Sequence, residues 1–180
     1  MYRQYKTVRT ATRRQRITDA LIEMMQEADF DNISVSSLCE FAGVPRRAFY
    51  RYFSSKEDMI SAVLDTLRNT YNDYVRQRNI ASMEIEERLT VFFQFWEENK
   101  RILKAFSGKR LSGELIEHTI ETCMAEGKGS RLHVRFTVTG LYGVLVEWAR
   151  SGFAESPEQI AFEVKGIFLR PLEDIFSVIC

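Results

Sequence analysis

The apolar residues of this sequence recur every three or four positions along most of the chain, which is the spacing of one face of an α-helix. The first such segment predicts a helix over residues 9–28, followed by a polar break over 29–33. Ser34 has the side chain of an N-cap and predicts a short helix over 35–42. Gly43 then supplies the left-handed backbone that commonly ends a helix.

A second short helix and a long one follow. Pro45 suits the start of a helix over 46–53, because the first N–H groups of a helix have no partner within it. Ser54 or Ser55 caps a fourth helix that extends to about residue 79. At 1.5 Å per residue this helix spans roughly 36 Å, which is long enough to connect two lobes.

The second half of the chain also predicts helices and no strand, so the expected fold is all-α. Apolar stripes predict the remaining helices at 84–98, 100–107, 111–126, 131–152 and 158–178. Residues 131–152 are apolar on nearly all sides, and such a helix must be buried on all sides. The clearest loop is 127–130, and Pro171 should kink or interrupt the last helix.

Composition places the chain among ordinary globular proteins. Hydrophobic residues make up 45% and charged residues 28% of its 180 residues, so it can bury a core without a disulfide or a metal ion. The three cysteines fit no zinc-binding spacing, and reduced thiols predict a cytoplasmic protein. We find no signal peptide and no stretch of about eighteen apolar residues, so we expect no membrane partner.

Charge is distributed unevenly along the chain. The formal net charge is zero, so composition alone does not indicate a nucleic-acid partner. The first sixteen residues nevertheless contain six positive charges and no negative one: Arg3, Lys6, Arg9, Arg13, Arg14 and Arg16. Such a segment attracts DNA phosphates without regard to sequence, although a basic tail is more often simply solvated.

The most informative stretch is residues 34–59, which read SVSSLCEFAGVPRRAFYRYFSSKEDM. Two short helices joined at Gly43 have the form of a helix-turn-helix, whose second helix fits the major groove of B-DNA. A plain helical corner would have the same two helices and the same glycine turn. The candidate DNA contacts are two serines of the first helix, four residues of the second and the lysine that begins the fourth helix: Ser36, Ser37, Arg46, Arg47, Tyr50, Arg51 and Lys56.

The residue types suggest different roles for these contacts. Arg46 or Arg47 could pair with both acceptors of a guanine, although Arg46 could equally contact phosphate or solvent. Tyr50 suits a phosphate or a base, as does the arginine after it, and the two serines suit a phosphate. Lys56 begins a helix, where its charge and the free amides together favour an anion. Tyr52 and the phenylalanine after it fit the core better than a DNA contact.

This stretch closely resembles the DNA-binding domain of TetR/AcrR-type repressors. The matching positions are Ile33, Val35, Leu38, Ala42-Gly43-Val44, Phe49-Tyr50-Arg51-Tyr52-Phe53 and Lys56-Glu57. The resemblance covers roughly the first third of the chain, and the rest resembles the family only in the number and length of its helices. Two positions depart from the pattern, because the family usually has serine or threonine at Pro45 and a small residue at Arg47. These departures leave the operator sequence unpredictable.

The resemblance implies two domains. Residues 1–55 would form a three-helix, homeodomain-like helix-turn-helix, and residues 56–180 a helical bundle for dimerisation and ligand binding. The implied function is a ligand-responsive regulator, in particular a repressor that binds a palindromic operator in double-stranded DNA as a homodimer and is released by an unknown small-molecule effector. The alternative is a protein of the same fold that acts as a protein-binding co-regulator without its own operator.

The resemblance also implies that the last two helices form a four-helix interface with their symmetry mates. The expected interface residues are Leu141, Val144, Leu145, Trp148, Phe168, Leu172 and Ile175. A dimer would present two recognition helices to half-sites about 34 Å apart. A single deep core without a partner would give the same apolar pattern.

A ligand cavity among the middle helices is a further expectation from the family, and the many aromatic residues there would line it well. The expected lining residues are Phe92, Trp96, Phe106, Phe136, Tyr142 and Glu147. For any single aromatic residue, ordinary core packing is the better explanation. Glu147 is the polar exception, and it could bind a cationic ligand, form a pair across the dimer or face solvent.

No catalytic constellation is apparent. The chain has two histidines and neither a phosphate-binding loop nor a nucleophile elbow. Glu114 and His118 lie one helical turn apart and could supply at most half a metal site. We therefore predict a protein that is not an enzyme and that has no metal or other cofactor.

Overall fold

The computed structural model describes residues 8–169, and within them the side chains of 13–108 and 110–169. This part of the chain contains nine α-helices, two 3-10 turns and no strand, which confirms the all-α prediction. The helices are α1 Val8–Met24, α2 Val35–Phe41, α3 Arg46–Tyr52, α4 Lys56–Gln77, α5 Ile85–Glu98, α6 Lys100–Phe106, α7 Lys109–Ala125, α8 Arg131–Arg150 and α9 Pro157–Phe168. The 3-10 turns are Phe30–Asn32 and Ile80–Ser82.

Most predicted helices begin and end within two residues of the observed bounds. Two helices end earlier than predicted: α9 ends at Phe168 rather than at residue 178, and α1 ends at Met24 rather than at residue 28. The chain turns there because Phe30 lies in a 3-10 turn and is buried at 5% exposure, so the segment expected to be a polar break contributes to the core. Pro171 lies outside the described residues.

Serine side chains cap four of the helices, because their hydroxyl oxygens accept the free amides of the first turn. Ser34 accepts from the amide of Ser37 at 3.0 Å, and the Ser37 hydroxyl accepts from the amide of Ser34 at 3.1 Å. Ser55, rather than its neighbour, caps α4 by accepting from Asp58 N at 3.0 Å. The other two capped helices, α8 and α9, begin after serines in the same way.

The turn between α2 and α3 requires glycine. Gly43 has a φ of +63°, a left-handed conformation that residues with a Cβ adopt only at a cost in energy. The guanidinium of Arg16, on α1, donates to the carbonyl of Ala42 at 3.2 Å and lies 3.4 Å from where a Cβ on Gly43 would be. This arginine therefore satisfies a free carbonyl at the C-terminus of α2.

Helices α1–α3, here called the N-terminal lobe, pack around a small apolar centre. Ile17, Leu21, Leu38 and Phe49 are fully buried there. This centre continues without a break into the core of the C-terminal lobe, formed by α4–α9. The predicted boundary at residue 55 coincides with the N-cap of α4, but the division into two domains stays a prediction.

In the C-terminal lobe, α9 packs along α5 and α7 packs along α8. Within the single chain, α8 is buried on one side and exposed on another, and the expectation that a second subunit covers the exposed side stays a prediction. Val138 and Leu145 face the core, but Leu132 and Phe136 are 69% and 71% exposed. No helix among the described residues is long and apolar enough to cross a membrane.

Polar contacts join the two lobes. Arg101, on α6, pairs with Glu23 of α1 and accepts a hydrogen bond at its carbonyl from Gln26 Nε2 at 3.0 Å. Arg110, at the start of α7, pairs with Asp31 of the first 3-10 turn. It also lies 3.4 Å from a carboxylate oxygen of Glu57 in α4. The first turn of α7 is therefore fixed to the N-terminal lobe.

Candidate DNA-binding face and ligand cavity

The outer side of α3 carries four exposed polar side chains. Ala48 and Phe49 are buried against α1 and α2, which leaves the opposite side of this two-turn helix facing solvent. The side chains on that side are Arg46, Arg47, Tyr50 and Arg51. The first of these arginines donates to the hydroxyl of Tyr50 at 3.4 Å, and its guanidinium carbon lies 6.0 Å from the ring centre. Exposed guanidinium and phenol groups on one helix face suit phosphates and base edges.

Neighbouring residues add to this face and also support it. Ser36 is exposed at the start of α2, where its hydroxyl can reach a phosphate. Ser37 instead uses its hydroxyl in the cap of α2, so it positions that helix. Phe53 is buried at 2% exposure and belongs to the core, and Tyr52 is half-buried and packs against it. The guanidinium of Arg14 lies 5.2 Å from the Phe53 ring centre, so α1 brings further positive charge next to α3.

Lys56 differs from the sequence-based expectation. Its Nζ donates to the carbonyl of Phe30 at 2.9 Å and to that of Ile33 at 2.5 Å. The same ammonium lies 4.5 Å from the centre of the Phe30 ring. Two charge-assisted hydrogen bonds and a cation–π contact already satisfy it. In this structure Lys56 therefore fastens the first 3-10 turn to α4, and only its backbone amide remains at the helix start.

A cavity of about 200 Å³ lies between α4, α5, α7 and α8. Its apolar wall includes Leu64, Leu67, Phe92, Phe95, Trp96, Leu115, Val138 and Leu141. Several of the rings meet edge to face, for example Phe92 with Tyr142 at 6.1 Å between centroids and Trp96 with Tyr142 at 5.8 Å. Such a packed, apolar wall with a few polar groups is typical of small-molecule sites.

Several polar side chains of the cavity can donate hydrogen bonds. Arg68 and Asn72 come from α4, His118 comes from α7 and Lys128 from the loop before α8. Burial raises the pKa of Tyr142 to about 12, so its hydroxyl stays protonated at neutral pH. The loop holds Lys128 between two glycines with φ of +68° and +138°, conformations that other residues rarely adopt.

Comparison with known proteins agrees with this geometry. Residues 17–63 match the family model described as bacterial regulatory proteins, tetR family. These residues run from the middle of α1 through α2 and α3 into α4, and so include the whole exposed face of α3. Over these residues the chain carries the DNA-binding domain of the tetR family of bacterial regulatory proteins.

The similarity of the chain to individual proteins extends over both lobes. The nucleoid occlusion factor SlmA of Haemophilus ducreyi is 24% identical over 89% of this chain and 92% of its own. Lin0861 from Listeria innocua has the same fold with a TM-score of 0.73 at 14% identity, over 94% of this chain and 97% of its own. The fatty acid degradation regulator FadR from Bacillus halodurans gives a TM-score of 0.68 at 18% identity, over 94% and 98%.

Three of the six residues expected to line a ligand cavity lie in the wall of this one: Phe92, Trp96 and Tyr142. Phe106 is fully buried in the core and does not reach the cavity. Phe136 lies on the solvent side of α8, 71% exposed. Glu147 also faces solvent, 3.9 Å from Arg150. Periodicity could not separate these positions, because α8 is apolar on both its cavity side and its outer side.

The residues expected at a dimer interface differ in their exposure within the single chain. Leu145 and Trp148 are buried within the chain, and the indole of Trp148 donates to the carbonyl of Glu155 at 3.0 Å. Val144 is half-buried, and Leu141 is half-buried and lines the cavity. Phe168 is 47% exposed and free to contact a partner. Leu172 and Ile175 lie outside the described residues.

Sequence reasoning missed the charged residues of the cavity. Arg68 was overlooked although it lies between Leu64 and Tyr71 at helical spacing, so a cation interrupts the apolar stripe of α4. The His118 side chain is 22% exposed, and its Nε2 lies 3.0 Å from a carboxylate oxygen of Asp65. Glu114 lies 3.6 Å from Arg110 rather than beside the histidine. In the described part of the chain no three potential metal ligands lie together.

Proposed function

We propose that this TetR-family protein is a ligand-responsive repressor that binds a palindromic operator as a homodimer. The observation that supports it most is the exposed face of α3, where arginines and a tyrosine have no role in the core. Exposed basic side chains on a recognition helix serve DNA contact in helix-turn-helix proteins. The basic residues of α1 beside α3 add attraction for phosphates.

Homodimerisation is supported by an apolar surface that the single chain leaves open. We call it the α8–α9 face, and its members are 47% to 71% exposed: Leu132, Phe136, Phe162, Ile167, Phe168 and Leu169. Large apolar side chains that are exposed together on two helices are typical of an interaction site. A two-fold axis through this face would pair the two chains and present two α3 helices to a palindrome.

Control by a ligand is supported by the way α7 joins the cavity to the N-terminal lobe. Leu115 and His118 of α7 line the cavity, and Arg110, two turns earlier, pairs with Asp31 and Glu57. A ligand that binds one arrangement of α4 and α7 better than another would shift the population of N-terminal lobe positions. The recognition helices of the dimer would then change their separation.

The deciding experiment measures binding to fluorescent DNA from the promoter beside the protein's own gene, over a salt series, against a scrambled sequence. We expect tight binding that exceeds the control, weakens with salt and is lost when Arg47→Ala and Tyr50→Ala are combined. Equal, weak binding to both DNAs, with no operator recovered by genome-wide selection of bound fragments, would overturn the repressor proposal.

A second candidate is suggested by the similarity to SlmA, which covers 89% of this chain. That relative is a nucleoid occlusion factor, which suggests that this chain could have a role other than ligand-controlled repression. In that case this chain would act through a bound protein rather than through a small molecule. Genome-wide selection separates the candidates, since a repressor would enrich a few promoters, whereas a nucleoid-associated role would enrich many sites with no link to promoters.

A further inference from the structure

The cavity has an apolar end and a cationic end. Phe95 and Trp96 are 1% and 2% exposed, whereas the side chains of Arg68 and Lys128 are 17% and 54% exposed, which places the positive groups nearer to solvent. Among the described residues that line the cavity there is no aspartate or glutamate. A cavity with two fixed positive charges and no carboxylate of its own favours an anion.

A carboxylate already bridges these two cations from outside the cavity. Glu126, which caps the C-terminus of α7, pairs with Arg68 through one oxygen, and its other oxygen lies 3.0 Å from Lys128 Nζ. Hydrogen bonds from Arg68 and then from Lys128 hold the pKa of Glu126 below its ordinary value. The two cations are therefore spaced to hold one carboxylate between them.

The apolar end has an unused hydrogen-bond donor. Among the described residues, the indole Nε1 of Trp96 is the buried side-chain nitrogen or oxygen that has no partner. A buried donor without an acceptor is unfavourable, and native proteins usually satisfy such groups. Trp96 also lines the cavity, so an occupant with an acceptor on its body could satisfy this donor.

We infer that the cavity takes a small organic carboxylate whose apolar body is about the size of one aromatic ring. Its volume of about 200 Å³ exceeds the roughly 150 Å³ of an apolar cavity that holds benzene. The ligand carboxylate replaces Glu126 on Arg68 and Lys128, and the body packs against Phe92 and Trp96. The inference rests on the proposed function, because it names the class of effector.

Replacement of Glu126 removes a link between α7 and α4. Three polar pairs join these helices, in the same order along both: Glu57 with Arg110, Asp65 with His118, and Arg68 with Glu126. The last of these pairs lies at the cationic end of the cavity. Its loss frees the C-terminal part of α4 from α7, and α4 follows directly on the N-terminal lobe, so a local exchange of carboxylates can move that lobe.

Matched probes test the charge of the ligand. The full chain without DNA is titrated in a calorimeter with 3-phenylpropanoate, its amide 3-phenylpropanamide and the cation 3-phenylpropylamine. We expect the carboxylate to bind with a Kd of about 1 mM or tighter. The amide should bind roughly tenfold more weakly, since it lacks charge-assisted hydrogen bonds, and the amine should not bind. Equal or tighter binding of the amide or the amine, or no binding of any probe, overturns the inference.

Two variants with opposite expected signs test the exchange. Arg68→Met should weaken carboxylate binding at least about tenfold, because it removes one of the two cations. Glu126→Gln should tighten it roughly threefold, because the competing charge is gone. If the ion pair had only a structural role, both variants would weaken binding. Arg135→Met is the matched control, since Arg135 forms a similar ion pair with Glu117 away from the cavity, and it should leave binding unchanged.

Thermal melts of each variant show whether it folds, and the wild-type operator experiment separates this inference from the proposed function. Specific operator binding without preference for the carboxylate would overturn the ligand class and leave the regulator intact. Carboxylate preference with the two opposite variant effects, but without operator binding, would support the ligand class and overturn the repressor.

Discussion

The two lobes place their candidate functional groups on opposite sides of their cores. In the N-terminal lobe, Arg47 and Tyr50 project outward from a packed centre that contains Phe49. In the C-terminal lobe, Phe92 and Trp96 belong to the core and also line the cavity. Folding and binding therefore depend on different residues in the first lobe and on shared residues in the second. A substitution can therefore change binding without changing stability in the N-terminal lobe, but not at the shared residues of the C-terminal lobe.

The largest expected effect tests the packed centre of the N-terminal lobe. Phe49→Ala removes a ring that is fully buried and lies 5.5 Å from the Phe53 ring. We expect the free energy of unfolding to fall by about 3–5 kcal/mol, and DNA binding to be lost with it. Urea denaturation measures the effect.

Phe41→Ala is the control for that substitution, since Phe41 lies in the same lobe but is 59% exposed. Its unfolding free energy should change by less than about 0.5 kcal/mol. Similar losses in both variants would contradict the division between a packed centre and an outer face.

The next effect concerns the outside of the C-terminal lobe. Phe136→Glu places a charge on the α8–α9 face, where Phe136 is 71% exposed in the single chain. A two-fold interface loses the ring twice, so we expect dimerisation to weaken by about 3 kcal/mol or more. Sedimentation velocity over a concentration series measures this. Phe41→Glu, which changes an exposed ring in the other lobe, should leave the dimer intact, and a Phe136→Glu variant as dimeric as the wild type would exclude this face.

The same contrast explains how much the sequence could predict. Helix types and most bounds followed from apolar spacing, and the exposed face of α3 followed from polar residues that have no place in a core. The residues that line the cavity could not be predicted in this way, because an aromatic residue in α5 or α8 has the same spacing whether it faces the core, the cavity or solvent. Phe106 and Phe136 were assigned to the cavity for that reason, and they lie in the core and at the surface. Arg68 could have indicated the cavity, because this cation interrupts the apolar stripe of α4.

A smaller effect separates DNA binding from stability. Arg47→Ala should cost about 1–3 kcal/mol of specific DNA affinity if the guanidinium pairs with a base. The unfolding free energy should stay within about 0.5 kcal/mol, because the side chain is exposed. Fluorescence anisotropy with operator and scrambled DNA measures the loss. Arg76→Ala, at a side chain that is 76% exposed on α4, is the control, and unchanged specificity of Arg47→Ala would remove Arg47 from the interface.

The smallest effect tests whether Lys56 belongs to the core or to the DNA-binding face. Lys56→Met keeps the aliphatic stem but removes the ammonium that donates to the carbonyls of Phe30 and Ile33. We expect the unfolding free energy to fall by about 1–2 kcal/mol, because two carbonyls lose their charged donor and the side chain is only partly buried.

The salt dependence of DNA binding decides between the two roles of Lys56. Each phosphate neutralised by a protein cation contributes about 0.9 to the slope of log affinity against log salt. If the ammonium stays with its two carbonyls, Lys56→Met leaves that slope unchanged while stability falls. If the slope drops by about one phosphate and stability holds, the ammonium leaves the carbonyls on binding. Lys56 would then belong with Arg47 on the outer face, and the separation of folding from binding in the N-terminal lobe would fail at this residue.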